Sequence, residues 1–158
     1  MLDVKEVLSL TRELAVIPAP SGREELRTAF CLHHWREKGL NAFADEVGNV
    51  ILELGGSESS PAVLFMAHTD IVFDENTPLA LREEGDRLYC PGIGDDTVHA
   101  AFVLAAGAWM AEQALPEDIT FLFAANVCEE GEGNLRGCKA LMERYGDRLK
   151  EVVSFDSY

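Results

Sequence analysis

The sequence predicts an α/β fold in which a mixed, mainly parallel sheet is flanked by helices. Apolar runs at 62–67, 118–128 and 151–156 are typical of strands that are buried inside a domain. Segments with helix-starting signals alternate with these runs, which indicates helices packed on the faces of a sheet. With 158 residues and 47% apolar side chains, the chain is large enough to bury one core.

The first half of the chain is predicted to contain two helices and a hairpin. Each helix begins with capping-box spacing, in which a capping residue is followed three positions later by glutamate. The capping pairs are Asp3 with Glu6 and Ser21 with Glu24. They predict helices over 3–16 and 22–38. Two strand-like runs then predict a hairpin over 41–47 and 49–54 with Gly48 between them.

The second half of the chain alternates strands with helices. After the strand at 62–67 come a loop and two short strand-like pieces, near 79–83 and 86–90. An alanine-rich helix is predicted over 97–114, and a later helix over 135–145 with Asn134 as its cap. The strands at 118–128 and 151–156 lie on either side of this later helix.

Charge and composition exclude several classes of protein. A formal net charge of −15 argues against nucleic acid or an anionic membrane surface as a partner. No run approaches 18 apolar residues, and the N-terminus lacks the pattern of a secretory signal, so we expect a soluble cytoplasmic protein. The four cysteines form no Cys-x-x-Cys pair, and we therefore expect reduced thiols rather than a structural zinc site.

Four side chains that commonly ligate metals each follow an apolar run. They are His68, Asp95, Glu130 and Asp156. In open α/β sheets, ligands bind in the crevice at the carboxyl ends of the strands. One imidazole and several carboxylates that meet there form a donor set suited to divalent ions such as zinc.

Each motif also has a simpler explanation. Asp70 lies two residues after His68 and is placed to orient its ring, but it is equally explained as a solvated aspartate at a strand end. Asp95, within a Gly-x-Gly-Asp-Asp segment, can also be explained as a helix cap, although capping needs only one aspartate and no Gly-x-Gly. Glu129 and Glu130 are explained either as an acidic turn or as a proton acceptor beside a metal ligand.

Taken together, these segments resemble the co-catalytic zinc exopeptidase and deacylase family. That family includes aminoacylase, acetylornithine deacetylase, succinyl-diaminopimelate desuccinylase, peptidase T and bacterial glutamate carboxypeptidases. The matching segments are Ile17–Gly22, His68–Asp70, Gly92–Asp96, Glu129–Gly131 with Gly137 after it, and, less distinctly, Ser154–Asp156. Their order and spacing match across nearly the whole chain, which makes the combination far more specific than any one motif.

The resemblance implies metal-dependent hydrolysis of amide bonds in short peptides or N-acyl amino acids. It implies two divalent ions, with zinc favoured and cobalt or manganese as alternatives. The implied metal ligands are His68, Asp156 and a bridging Asp95 for one ion, and Glu130 with Asp95 for the other. A cis peptide is implied between Asp95 and Asp96. Glu129 is implied to be the general base, and Asp70 the carboxylate that partners His68.

The sequence also departs from the family pattern. His99 lies where a small residue is common, and we expect it to have a packing or surface role. Family members are longer, so residues 1–158 are expected to form the first segment of a catalytic domain. The lid and dimerisation domain and the later segment with a second histidine ligand are then absent. For this chain alone we expect weak binding of the second ion and self-association through exposed sheet surface.

Two other interpretations remain open at this stage. One is a non-catalytic fragment that retains the fold and binds metal weakly. The other is the second co-catalytic aminopeptidase family, whose ligand order is similar.

Overall fold

A computed structural model describes residues 1–157 and shows a five-stranded sheet with helices on both faces, beside a separate two-stranded hairpin. The helices are α1 (Val4–Ala15), α2 (Glu25–Glu37), α3 (Val98–Ala111) and α4 (Arg136–Tyr145). The strands are β1 (Phe43–Ala44), β2 (Val50–Gly55), β3 (Ala62–His68), β4 (Arg82–Glu84), β5 (Arg87–Tyr89), β6 (Thr120–Asn126) and β7 (Leu149–Ser154). Short helical turns at Ile93–Thr97 and Gly131–Gly133 precede α3 and α4.

The sheet is mixed, as predicted. Its strand order is β1-β2-β6-β3-β7, and β4 pairs only with β5. Strands β6, β3 and β7 are parallel, whereas β2 is antiparallel to both of its neighbours. The carboxyl ends of β6, β3 and β7 therefore meet at one edge of the sheet.

Apolar side chains fill both faces of this sheet. Successive strand residues point to opposite sides, so Phe123 and Ala125 of β6 face α1, α2 and α3, while Leu122 and Ala124 face α4. The indole N–H of the fully buried Trp35 donates to the carbonyl of Leu104 at 2.9 Å. This bond joins α2 to α3 and satisfies a polar group that would otherwise be costly to bury.

The N-termini of the helices agree only partly with the prediction. Asp3 caps α1 as expected, because its carboxylate accepts from the backbone N–H of Lys5 at 2.9 Å. The prediction of a second capping box is wrong, because α2 begins at Glu25 and neither Ser21 nor Glu24 caps it. The Ser21 hydroxyl binds Asp70, and the Glu24 carboxylate accepts from the N–H groups of Gly22 and Cys128. The predicted cap at Asn134 is also wrong, since the left-handed backbone there delays the start of α4 to Arg136.

Strand boundaries shift in a way that matters for the site. Strand β7 ends at Ser154, so Asp156 lies beyond the strand rather than at its last position. All four cysteines are free thiols. None of the helices within residues 1–157 is long and apolar enough to span a membrane.

Candidate metal and catalytic site

Five predicted site residues converge at the carboxyl edge of the parallel strands. His68, Asp95 and Asp156 each offer a ligand atom, and these atoms lie within 4.8 Å of one another. His68, Glu129 and Glu130 form a second such group by the same measure. The convergence expected from the sequence is therefore present in the described part of the chain, with the imidazole common to both groups.

The topology explains this convergence. His68 is the last residue of β3, and the loops that follow the parallel neighbours β6 and β7 contribute Glu129, Glu130 and Asp156. Asp95 comes from the turn before α3 and joins Asp96 through a cis peptide bond, as the family resemblance implied. Ligands in open α/β sheets bind in this position, outside the carboxyl ends of the strands.

The ring of His68 is held in a defined orientation. Its Nδ1 lies 3.0 Å from the backbone carbonyl oxygen of Asp70 and 3.4 Å from the Oδ1 atom of the Asp70 carboxylate. Its Nε2 lies 3.1 Å from Oδ1 of Asp95. The nearer partner of Nδ1 is thus the main chain of Asp70, not the carboxylate expected from the sequence. With Nδ1 donating to that carbonyl, Nε2 is left as the free ligand atom facing the site.

The Asp70 carboxylate instead positions the loop that bears the two glutamates. It is fully buried and accepts from the backbone N–H groups of Glu129 and Glu130, each at 3.0 Å. It also accepts from the hydroxyl of Ser21 at 2.7 Å. Two successive N–H groups bound by one carboxylate fix the direction of the backbone just where the glutamate side chains leave it.

The electrostatics of the site suit a bound cation. Burial raises the pKa of both Glu129 and Glu130, and neighbouring carboxylates raise them further. Burial, partly opposed by His68, raises the pKa of Asp96 to about 8. Burial alone would lower the pKa of His68, but the bond to Asp70 and nearby carboxylates raise it to about 9. Carboxyl groups that crowd one another in this way are stabilised in their charged forms by a divalent ion.

Asp70 shows the opposite shift. Burial opposes its ionisation, but hydrogen bonds from His68, Ser21 and the backbone of Glu129 and Glu130 lower its pKa to about 2. It is therefore a permanent anion that accepts hydrogen bonds and leaves proton exchange to other groups.

Sequence reasoning missed the role of two residues next to the site. The fully buried carboxylate of Asp96 accepts from the backbone N–H of His68 at 2.9 Å and contacts the ring of His99. We expected a packing or surface role for His99, and the structure instead places it against this carboxylate. Its position three residues after Asp96 at the start of a helix was the available signal, because residues at this spacing are neighbours.

The predicted ligand pair for a second ion is less complete. Asp95 and Glu130 belong to different ligand groups, and within residues 1–157 no group of three candidate ligands contains both. The described residues thus provide one donor group formed by His68, Asp95 and Asp156 and a second formed by His68, Glu129 and Glu130.

Comparison with solved structures shows the same fold in several peptidases. A tripeptidase from Staphylococcus aureus superposes with a TM-score of 0.76 at 22% identity, covering 99% of this chain and 44% of that one. The YXEP protein of Bacillus subtilis, described as a dinuclear metal-binding peptidase of the M20 family, superposes with a TM-score of 0.65 at 18% identity. The superposition covers 98% of this chain and 43% of the YXEP chain.

Sequence relatives and a family profile point the same way. A protein of Pyrococcus abyssi, provisionally named a LysW-lysine/LysW-ornithine hydrolase, is 32% identical over 136 residues, or 86% of this chain and 36% of its own length. A Pyrococcus horikoshii protein of the same name is 32% identical over 131 residues, or 83% of this chain and 37% of its own length. The chain thus spans about a third of the length of these relatives. The profile of Peptidase family M20/M25/M40 matches residues 64–156, which hold all the predicted site residues. The chain belongs to this peptidase family, which confirms the family resemblance drawn from the motifs.

Proposed function

We propose that this chain is the metal-binding segment of a hydrolase that cleaves amide bonds in short peptides or N-acyl amino acids. The observation that carries the proposal is the convergence of one imidazole and four carboxylates at the carboxyl edge of the sheet. The chain spans about a third of the length of its relatives, which supports the further proposal that residues 1–158 are one segment of a larger catalytic domain.

The donor atoms suit two divalent ions, with zinc as the first candidate and cobalt or manganese as alternatives. His68, Asp95 and Asp156 would hold one ion, since an imidazole with two carboxylates is a donor set that zinc accepts. Glu130 would hold a second ion together with Asp95. Ions bound there supply a Lewis acid for the substrate carbonyl and make water easier to deprotonate.

We assign the proton transfer to Glu129, following the family resemblance, and metal ligation to its neighbour Glu130. Its carboxylate lies in the group around His68 but outside the set around Asp95 and Asp156. Its pKa is raised by burial and nearby carboxylates, which makes it a stronger base than an ordinary glutamate. Glu129 takes a proton from the attacking water and then gives it to the leaving nitrogen. Asp70 keeps Glu129 in place through the backbone N–H.

The relatives support amide hydrolysis without fixing the substrate. The Pyrococcus relatives are named for the hydrolysis of LysW-lysine and LysW-ornithine, and the Staphylococcus structure is that of a tripeptidase. These names describe different substrates, so we propose only the shared chemistry. Membership of the M20/M25/M40 family disfavours the second co-catalytic aminopeptidase family as the source of the motifs.

Metal titration with a hydrolysis assay tests this proposal. The chain is first stripped with a chelator, and zinc, manganese and cobalt are then titrated by calorimetry while dipeptides and N-acetyl amino acids are offered as substrates. We expect one ion to bind more tightly than the second and His68→Ala to abolish the tighter site. Tyr145→Phe, at the far end of the sheet, serves as the control and leaves both sites unchanged.

The same experiment separates the proposal from its main alternative. A non-catalytic fragment would bind metal weakly in the wild type, and His68→Ala would change little. Metal binding that is independent of His68, Asp95 and Asp156 would contradict the ligand assignment. We call the longer protein, of which this chain is proposed to be one segment, the intact protein. Tight metal binding without hydrolysis by the intact protein would contradict the proposed reaction.

A further inference from the structure

We propose that Glu24 is a positioning residue for Glu129, acting through the backbone of Cys128; this inference rests on the proposed function above. Glu24 is 4% exposed, carries a charge, and lies on the turn before α2, far in sequence from the strand-end loop that it contacts. Its capping-box position predicted a local role at the start of α2. The structure shows a long-range role as well as a local contact with Gly22.

A single carboxylate oxygen of Glu24 accepts three hydrogen bonds. Its Oε1 lies 3.0 Å from the backbone N of Cys128 and 3.2 Å from the thiol Sγ of the same residue. The backbone N of Gly22 donates to the same oxygen at 2.8 Å. The turn at Gly22 and the loop after β6 are thus joined through one buried anion.

The backbone at Cys128 has a conformation that needs such support. Its φ is +54°, in the left-handed region that side chains other than glycine rarely adopt. Its N–H donates to Glu24, and its carbonyl accepts from the N–H of Arg136 at 3.0 Å. The backbone N–H and the backbone carbonyl of Cys128 are therefore both hydrogen-bonded, the first to Glu24 and the second to Arg136.

Glu24 and Asp70 together bind three consecutive N–H groups. Glu24 accepts from Cys128, while Asp70 accepts from Glu129 and Glu130. Both carboxylates also bind the same turn, Asp70 through the hydroxyl of Ser21 and Glu24 through the N–H of Gly22. Three successive N–H groups of the loop that bears the candidate general base are thus hydrogen-bonded to two carboxylates, and both carboxylates bind the turn at Ser21 and Gly22.

This arrangement has a specific consequence for catalysis. Glu24 binds the N–H of Cys128, one residue before the candidate base, and so fixes the direction from which Glu129 leaves the chain. Without it, the Cys128 N–H loses its acceptor and the left-handed backbone is free to relax. A general base displaced by about 1 Å costs on the order of 10²-fold in rate. Substrate binding depends less on this one carboxylate, so we expect the loss in kcat rather than in KM.

The experiment compares Glu24→Ala with Glu24→Gln and a matched control. Glutamine keeps an acceptor oxygen at the same length but loses the charge, so it should restore most of the function. Tyr145→Phe is the control, because it too removes a hydrogen bond to a glutamate, that of Tyr145 Oη to Glu53 Oε1 at 2.7 Å. Residue-resolved hydrogen exchange by NMR follows the Cys128 amide in the chain, and kcat and KM are measured in the intact protein.

The expected results differ among the three variants. In Glu24→Ala the Cys128 amide should exchange about tenfold faster or more, because it loses a charge-assisted bond. Its kcat should fall about 10²-fold with KM changed by less than about threefold. Glu24→Gln should recover kcat to within about tenfold of the wild type. Tyr145→Phe should leave both the exchange rate of the Cys128 amide and kcat at their wild-type values.

Several results would overturn the inference. Unchanged protection of the Cys128 amide in Glu24→Ala is one, and a glutamine variant no better than alanine is another. If the alanine variant does not fold, Glu24→Asp decides, because its shorter side chain withdraws the acceptor oxygen from the Cys128 N–H: exchange at Cys128 and kcat both equal to the wild type would refute a positioning role. If the wild type hydrolyses nothing, the proposed function fails, and the exchange measurement still decides whether Glu24 positions the loop.

Discussion

Replacing Asp70 with asparagine should destabilise the metal-free chain by about 2 kcal/mol at pH 7. The change is nearly isosteric, so the expected loss comes from hydrogen bonding and charge rather than packing. Oδ1 of Asp70 accepts from Glu129 N, and Oδ2 accepts from both Glu130 N and the Ser21 hydroxyl. An asparagine has only one acceptor oxygen, so its amide nitrogen must face at least one of these donors.

Two considerations give this magnitude. Loss of one hydrogen bond to a charged acceptor costs about 1.5–3 kcal/mol. The pKa of Asp70 falls from an ordinary value of 3.8 to about 2. Because each pKa unit corresponds to about 1.4 kcal/mol, this shift also represents about 2 kcal/mol of folding stability. His68 also contributes to the lowered pKa, so the shift is not due to these three donors alone.

The sign of the pH dependence follows from the lowered pKa. The folded chain binds this proton more weakly than the unfolded chain, so the stabilisation is complete above about pH 4. It is lost as pH falls from about 4 to 2. The difference in stability between wild type and Asp70→Asn should therefore shrink by about 1 kcal/mol between pH 7 and pH 3.

Urea denaturation in the presence of a chelator measures both quantities. Ser21→Ala, which removes only one of the three donors, is the graded control and should cost about 1 kcal/mol or less. A stability loss below about 0.5 kcal/mol for Asp70→Asn would refute the argument. So would a difference from the wild type that stays constant from pH 7 to pH 3.

Three further predictions follow from the same contacts. Glu129→Gln in the intact protein should lower turnover by about 10²–10⁴-fold while metal content stays near that of the wild type. Glu130→Gln should lower both turnover and metal content, and equal metal loss in the two variants would show that the roles are misassigned. Gly137→Ala should destabilise the chain by about 1–3 kcal/mol, because an added Cβ would collide with the backbone of Val127; denaturation that matches the wild type would contradict this. We expect the chain to self-associate through the open edge of the sheet at β7, where Val152 is 44% exposed. Val152→Lys should therefore shift the chain towards monomer in size-exclusion chromatography, and an unchanged elution volume would argue against this edge.

Local patterns in the sequence were sufficient for much of the fold. Apolar runs and turn signals predicted helices α1 and α3 and the strands β3 and β6, because burial on both faces of a sheet demands continuous apolar residues. The order of strand-end acids also predicted which side chains converge, since parallel neighbours place their carboxyl ends at one edge. These inferences use only the spacing of residues along the chain and the direction of strands.

The sequence patterns did not predict the long-range hydrogen bonds. Ser21 and Glu24 have the spacing of a capping box, yet their side chains bind Asp70 and Cys128 instead. The start of α4 moved for a related reason, because left-handed residues and the close approach of Gly137 to the backbone of Val127 define that turn. A capping pattern records what a side chain is able to bind locally, and competing partners from distant segments decide what it does bind.

The sequence by itself thus determined the fold class, the family and the identity of the side chains that meet at the sheet edge. The tertiary structure alone decided how they are held: the main-chain carbonyl of Asp70 orients His68, and Asp70 and Glu24 secure the loop of Glu129. Residue type and strand order fix which groups are available, because they depend on the chain alone. Orientation depends on atoms that are brought within about 3 Å only when distant segments pack together.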